Sequence, residues 1–242
     1  TAIGKYCVPK FKYGYTIGNY YAQFLNEQYG VQYAIVRNAT VLRPITAQYN
    51  TQEPYILYQG AVNEGRCFEQ LIPAMQWIDT PLVICGKGNF YERAIALAEQ
   101  YKVTDKVTFK GYIKPDDLIA ITRKATIGIT LFEHNNTLSN YYSMANRFFD
   151  YMHNGIPQIC NAYPEYIHVN SQYEIACLIE DLEPKVLAQT INSLLVDTQH
   201  LLTMHHNTLQ ARTLYCWQEE EKRLLKVYNE LFNPTTVANN GN

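Results

Sequence analysis

Charge is scarce in this 242-residue chain and evenly split: 17% of residues are charged, and 20 cations face 22 anions for a net charge of −2. That balance leaves no electrostatic footprint for nucleic acid, which requires a basic face. Long apolar runs are also missing. None approaches the roughly 18 residues that span a bilayer, and no basic amphipathic stretch points to a membrane surface. The six cysteines (Cys7, Cys67, Cys85, Cys160, Cys177 and Cys216) lie far apart with no CxxC pair. Cys85 and Cys160 close apolar runs, where a free thiol behaves as a small hydrophobe. A reduced, cytoplasmic setting is the expectation. His200, His205 and His206 have no Cys or carboxylate at ligand spacing, so no metal site is expected. There is no internal repeat, no low-complexity tract and no signal-peptide pattern. The chain starts at Thr1 rather than Met and is read as a piece of a longer polypeptide.

What is present is core. At 47% apolar residues the chain can fill one large domain or one and a half small ones. From residue 55 onward, short apolar runs alternate with helical periodicity. Strands are expected over 55–59, 82–85, 107–109, 126–130, 156–160 and 175–179. Helices are expected over 66–75, 90–101, 115–123, 143–153 and 184–192. This alternation argues for an α/β fold with a doubly wound, Rossmann-like parallel sheet and right-handed crossovers. Two helices follow, over 198–214 and 217–231, and then a polar tail. The first fifty residues stand apart: a short strand, a helix over 19–29, a strand over 32–36 and a proline-containing connection.

The segment NTLSNYYSMANRFFDYMHNGIP, residues 136–157, carries the most chemistry. It follows the apolar run ATIGITLF and is closed by Asn154-Gly155, a helix-stop pair. Met144, Phe148, Phe149 and Met152 recur at i, i+4, i+5 and i+8, so one face packs on a sheet. Asn146 and Asp150 share another face one turn apart, with Arg147 beside them. A helix that follows a parallel strand starts where open α/β sheets bind ligands, and its free N–H groups favour phosphate.

This segment resembles the donor-site helix of retaining glycosyltransferases of the two-Rossmann GT-B architecture, the large group 1 (family 4-like). That group includes bacterial polysaccharide and lipopolysaccharide enzymes. A branch of it shows a pattern close to N-S-x-N-Y-Y-x-x-P-N-K-x-F-E-Y-x-x-A-G-x-P. Against it stand Asn136, Thr137, Asn140, Tyr141, Tyr142, Asn146, Arg147, Phe149, Asp150, Tyr151, Gly155 and Pro157. The departures are Ala145 for Pro, Arg147 for Lys, Asp150 for Glu and Asn154 for Ala. Three further stretches match in order. YQGAVNEGRCFEQLIPAM looks like the first strand, phosphate loop and helix; LVICGKGN with VTFKGYI looks like the next two strands; CWQEEEKRLLKVY is similar to the terminal crossing helix. The resemblance implies three parts. Residues 1–50 are the end of an N-terminal acceptor domain with its linker, 51–216 the nucleotide-sugar-binding domain, and 217–242 the crossing helix with a disordered tail.

Taken alone, the glycines of Gly60-Ala-Val-Asn-Glu-Gly-Arg66 serve turn geometry. By resemblance, Gly60, Asn63, Gly65 and Arg66 form the diphosphate loop, with Arg66 at the family's phosphate-binding Lys. The family's second phosphate Arg is Ala61 here, and Arg147 is the candidate to complete the clamp. Asp150 stands at the ribose Glu, where a carboxylate accepts from the 2′- and 3′-hydroxyls; its plainer reading is a helix-surface pair with Arg147. Many members carry a further Glu eight positions earlier, and that position is Tyr142. Ser143 and Met144 are expected to offer N–H groups at the helix start. Asn140, Tyr141 and Asn146 are expected to hold sugar hydroxyls or to cap the loop. Lys87, Tyr112 and Ile113 lie at strand ends the family uses around phosphate and base. Catalytic residues are not assigned; Glu133 and His134 are the candidates.

The resulting expectation is the donor half of a glycosyltransferase that moves a sugar from a nucleoside diphosphate sugar to a glycan or lipid-linked acceptor. Retention, metal independence, no cofactor beyond the donor, and a cytoplasmic site peripheral to the inner membrane through the missing domain all follow from the resemblance. Two alternatives stay open: a non-catalytic nucleotide-sugar-binding or interaction module, favoured by Tyr142 and Ala61, and a GT-B-type sugar epimerase.

Overall fold

The computed structural model describes residues 2–45, 49, 52–133, 138–142 and 144–233. At its centre, six parallel strands form one sheet: β3 (Ile56–Gln59), β4 (Leu82–Cys85), β5 (Val107–Gly111), β6 (Ile127–Thr130), β7 (Gln158–Asn161) and β8 (Ala176–Ile179). Their order is β5-β4-β3-β6-β7-β8, so the chain reverses direction of winding between β3 and β6. β3, β6 and β7 are buried at every position, as expected of strands covered on both faces.

The N-terminal segment is built from α1 (Ala2–Cys7), a 3₁₀ turn Val8–Lys10, β1 (Tyr15–Thr16), α2 (Asn19–Tyr29) and β2 (Ala34–Ile35). β1 and β2 pair in parallel, with Tyr15 opposite Ala34. The crossovers of the main sheet are α3 (Phe68–Ala74), which runs into a 3₁₀ turn Met75–Trp77, then α4 (Tyr91–Gln100), α5 (Pro115–Thr122), the short α6 (Leu138–Tyr141), α7 (Asn146–His153), α8 (Pro164–Gln172) and α9 (Pro184–Val196). The chain ends on α10 (Thr198–Leu214) and α11 (Trp217–Phe232). No helix among the described residues is long and apolar enough to cross a membrane. Of the tail expected over 233–242, residues 234–242 lie outside the described residues.

Two helix starts differ from the expectation. α3 begins at Phe68, not at residue 66, because Cys67 takes the left-handed region at φ 58 and holds Arg66 in the loop. α7 begins at Asn146 rather than at residue 143, since Ala145 is extended at ψ 143 and gives its N–H to Tyr166 Oη at 3.1 Å. Met144 therefore precedes the helix and offers no helix-start N–H. It still packs in one apolar cluster with Phe148, Phe149 and Met152. α8 is a helix the periodicity conceals: its buried face is Glu165, Tyr166 and Val169, and a buried carboxylate breaks the apolar repeat.

Tyr151 sets the geometry of the reversal point. β3 and β6 pair only at Ile56–Ile127 and Leu57–Gly128. Beyond that, the fully buried Tyr151 fits its hydroxyl between them, accepting from Gln59 N–H at 3.1 Å and donating to Leu57 C=O at 2.9 Å. The ring passes over Gly128, where a Cβ would lie 2.5 Å from it. The strands splay, and their C-terminal ends open a crevice between the loops that follow β3 and β6.

Candidate functional site

The crevice is floored by the exit of β3. Tyr58 is fully buried and Gln59 nearly so. Gly60 then turns at φ +120, and a Cβ there would lie 3.3 Å from an Arg147 guanidinium nitrogen. The positive φ is what favours glycine at 60; the side-chain contact would ask only a small shift of the arginine.

Two arginines form one wall. Arg147, only 7% exposed, lies over the Tyr58 ring (Cζ 4.6 Å from the centroid) and the Phe132 ring (4.8 Å). Its guanidinium donates to Tyr58 Oη at 2.9 Å and to Leu131 C=O at 3.4 Å. Arg66 covers the same Phe132 ring at 4.3 Å. Among the described residues neither arginine has a carboxylate within ion-pair distance. Burial, and next the charge of Arg147, pull Arg66 below the usual arginine range. Two cations held together without a counter-charge make a site for an anion, and planar guanidinium forks suit phosphate.

Asp150 lines the same crevice, one turn on from Arg147 in α7. Its Oδ1 accepts from Thr40 Oγ1 at 2.8 Å and its Oδ2 from Gln59 Nε2 at 3.2 Å. Burial pushes the carboxyl above its ordinary value, and these two hydrogen bonds oppose that shift. The Asp150–Arg147 pair of the plainer reading does not form, because Arg147 is drawn inward onto Tyr58. Gln59 in turn accepts from Thr122 Oγ1 at 2.7 Å, which fixes its amide. Asn146 accepts from Asn38 Nδ2 at 2.9 Å.

A cavity of about 420 Å³ thus gathers Gly60, Arg66, Asn140, Met144, Asn146, Arg147 and Asp150, together with Gln59 and Phe132. A second, of about 260 Å³, lies behind it between Thr40, Pro115 and Ile119, and shares Gln59, Leu118 and Asp150. A larger hollow of about 730 Å³ sits elsewhere, between β2, α8 and α11. Its rim mixes Arg37, Arg223 and Lys226 with Glu219 and Glu230, so no one charge dominates it.

Other expected residues are not brought to these two cavities. Asn63 is committed to Asn89, accepting its N–H at 3.0 Å. The Gly65 carbonyl accepts from Glu133 N–H at 3.1 Å, which ties the loops after β3 and β6 together. Lys87 points along the surface, 5.8 Å from the Tyr91 ring centre. Tyr112 is 70% exposed, and Ile113 packs on the cluster of Leu57, Cys85 and Tyr151. Tyr142 stacks on Tyr20 of α2 at 6.1 Å. Ser143 and His134 lie outside the described residues. Thr40, Tyr58, Gln59 and Phe132 were not singled out from sequence. Gln59 had a signal, as the one polar residue closing the run Ile-Leu-Tyr-Gln; Thr40 had none.

The family described as Glycosyl transferases group 1 matches residues 45–210. No curated protein matches the chain. Among solved structures it is similar to sucrose-phosphate synthase from Thermosynechococcus elongatus, with a TM-score of 0.78 and 20% identity over 92% of this chain and 59% of that one. It is also similar to Anabaena HepE in complex with UDP and glucose (TM-score 0.77, 12% identity, 95% of this chain and 66% of that one). The pneumococcal O-GlcNAc transferase GtfA in complex with UDP and GlcNAc gives a TM-score of 0.76 at 13% identity, over 96% of this chain and 47% of that one. The chain therefore spans about half to two-thirds of the length of these proteins. With residues 45–210 matched by the family and its fold shared with such structures, the chain belongs to the group 1 glycosyl transferases and has the GT-B α/β fold.

Proposed function

We propose that this chain is the nucleotide-sugar-binding part of a retaining, metal-independent glycosyltransferase that acts on a glycan or lipid-linked acceptor. One observation carries the reading: Arg66 and Arg147 converge on Phe132 over the Gly60 turn, and Asp150 lines the same cavity. The chemistry suits a diphosphate against the guanidinium groups and a ribose against the carboxylate. During transfer, charge grows on the departing diphosphate. Preorganised cations and the N-terminus of α7 stabilise that charge without reorganising at the moment of reaction. Asp150, held by Thr40 and Gln59, orients the nucleoside so that the sugar faces the open end of the crevice.

The test is calorimetry with UDP and GDP in EDTA. Binding of at least one nucleotide is expected. Binding that appears only with Mg²⁺ or Mn²⁺, or no binding of either, overturns the reading.

One observation favours the rival of a non-catalytic binding module. Tyr142, at the position where many family members carry a carboxylate, is engaged in the stack on Tyr20. The two readings part when a nucleotide sugar is incubated with the chain and a full acceptor-domain partner. Transfer or donor hydrolysis supports the enzyme, and tight binding without turnover supports the module.

A further inference from the structure

We propose that Thr40 is a positioning residue for the site carboxylate, so that nucleotide affinity is coupled to the seating of the segment joining β2 to β3. The proposal rests on the reading above that Asp150 takes ribose hydroxyls.

A carboxylate offers about four lone-pair positions on its two oxygens. Thr40 occupies one on Oδ1 and Gln59 one on Oδ2. One acceptor position is left on each oxygen, the number a ribose cis-diol needs. Held at both ends, the carboxylate is aimed before the ligand arrives, which lowers the ordering cost of binding. Gln59 is rigid, being buried in β3 and fixed by Thr122. Thr40 belongs to a connecting segment, and its position depends on what holds that segment.

Over residues 38–44 the segment is tied down by hydrogen bonds. Asn38 donates to Asn146 and Thr40 to Asp150. An extended chain advances about 6.5 Å over two residues, and a helix about 6 Å over four, so alternate residues of the segment meet successive turns of α7. Ala39, between them, is buried in the core cluster beneath. The carbonyl of Thr40 accepts from Trp217 N–H at 3.0 Å, at the start of α11. Leu42 exchanges two hydrogen bonds with the Gln218 amide at 2.9 and 3.2 Å. Arg212 and Arg123 donate to the carbonyls of Arg43 and Pro44. Thr40 thus ties three pieces together: the connection, the site helix and the last helix. Lifting the connection from α7 removes the Thr40 hydroxyl from Asp150, and by linkage a ligand on Asp150 favours the seated connection.

The experiment is isothermal titration of UDP, GDP and their 2′,3′-dideoxy analogues into the 242-residue chain as wild type, Thr40→Val and Thr40→Ser. Thr40→Val is expected to weaken the ribonucleotide about five- to tenfold, the scale of one lost hydrogen bond that orients a charged partner. The dideoxy analogue stays within about twofold, and Thr40→Ser returns the ribonucleotide to near the wild-type value. In the wild type the nucleotide also slows amide exchange over 38–44, and in Thr40→Val it does not. Should the valine variant melt below the assay temperature, Thr40→Ala carries the same expectation. If the wild type separates ribo- from dideoxynucleotide and Thr40→Val leaves both affinities unchanged, or weakens both alike, the proposal falls and the ribose reading stands. If the wild type binds the two equally, or binds neither nucleotide, the ribose reading falls and takes the proposal with it.

Discussion

At the scale of single residues, the site separates two kinds of recognition that mutation can pull apart. In the proposed function Asp150 takes the ribose hydroxyls and Arg66 the phosphates. Asp150→Asn is expected to weaken a ribonucleoside diphosphate by roughly 1–3 kcal/mol, the range of charge-assisted hydrogen bonds, and to leave a 2′,3′-dideoxy analogue nearly untouched. Arg66→Ala is expected to weaken both alike, because they share the diphosphate. Equal losses for both ligands with Asp150→Asn would return that carboxylate to a scaffold role. Tyr151 invites a different test, since its hydroxyl replaces missing sheet hydrogen bonds at the reversal point. Tyr151→Phe strands Gln59 N–H and Leu57 C=O in a dry interior, at a cost of about 1–3 kcal/mol. Urea unfolding should show a lower midpoint at unchanged slope; an unchanged midpoint would mean the splayed strands find other partners. Asp150, Arg66 and Arg147 were singled out through the family resemblance rather than from their own spacing, and they line one cavity. Thr40 and Phe132 were not singled out, since their roles arise from parts of the chain that meet only in three dimensions.

At the scale of elements, β3, β6 and β7 were readable as apolar runs because both faces are covered, whereas in the edge strand β5 the exposed Thr108 and Lys110 interrupt the run. Helix starts were less readable. Loop residues such as Arg66 and Met144 have helical propensity, and it is the backbone at Cys67 and Ala145 that excludes them. α8 escaped because Glu165 occupies its core face. The packing of α7 against α10 could not be read at all, since it depends on two histidines used as neutral hydrogen-bond donors. His153 Nε2–H donates to Tyr215 C=O at 2.9 Å while its Nδ1 is buried without a partner. His205 Nδ1–H donates to Gly155 C=O at 2.6 Å. Burial lowers both below the ordinary histidine value. The unfolded chain, with histidines near 6.5, then binds more protons than the folded one as pH falls below that value. Stability is therefore full above about pH 6.5, declines as pH drops through 6.5 toward the folded values, and levels off below them. Thermal melts from pH 8 to 5 check this. His153→Gln should flatten the decline, and a slope identical to the wild type would assign the pH dependence elsewhere.

At the scale of the whole molecule, three carboxylates from three different helices hold the N-terminal segment to the sheet-bearing body. Glu165 of α8, fully buried, accepts Tyr20 N–H at 2.8 Å and so caps α2, whose own N-cap, Gly18, has no side chain to do it. A Cβ at Gly18 would lie 2.6 Å from that carboxylate, so a larger residue there would have to displace the cap. Asp150 of α7 holds Thr40. Glu220 of α11, also fully buried, accepts Arg37 N–H at 2.9 Å and the Arg37 guanidinium at 3.5 Å, with Arg223 at 2.5 Å on the same oxygen. Arg37 is itself buried, with its Nε unpartnered, so Glu220 is the counter-charge that makes its burial tolerable. Glu220→Gln keeps the shape and most hydrogen bonds but removes that charge, at a cost of about 1.5–3 kcal/mol for bonds to an ionised group. If the segment opens separately from the sheet, amides of α2 and β2 should exchange about ten- to a hundredfold faster in the variant, following 1.4 kcal/mol per tenfold. Those of β3 and β4, enclosed by α3, α4 and α9, should keep their rates. Acceleration by one common factor in both regions would instead make segment and sheet a single cooperative unit, with Glu220 supporting the whole fold.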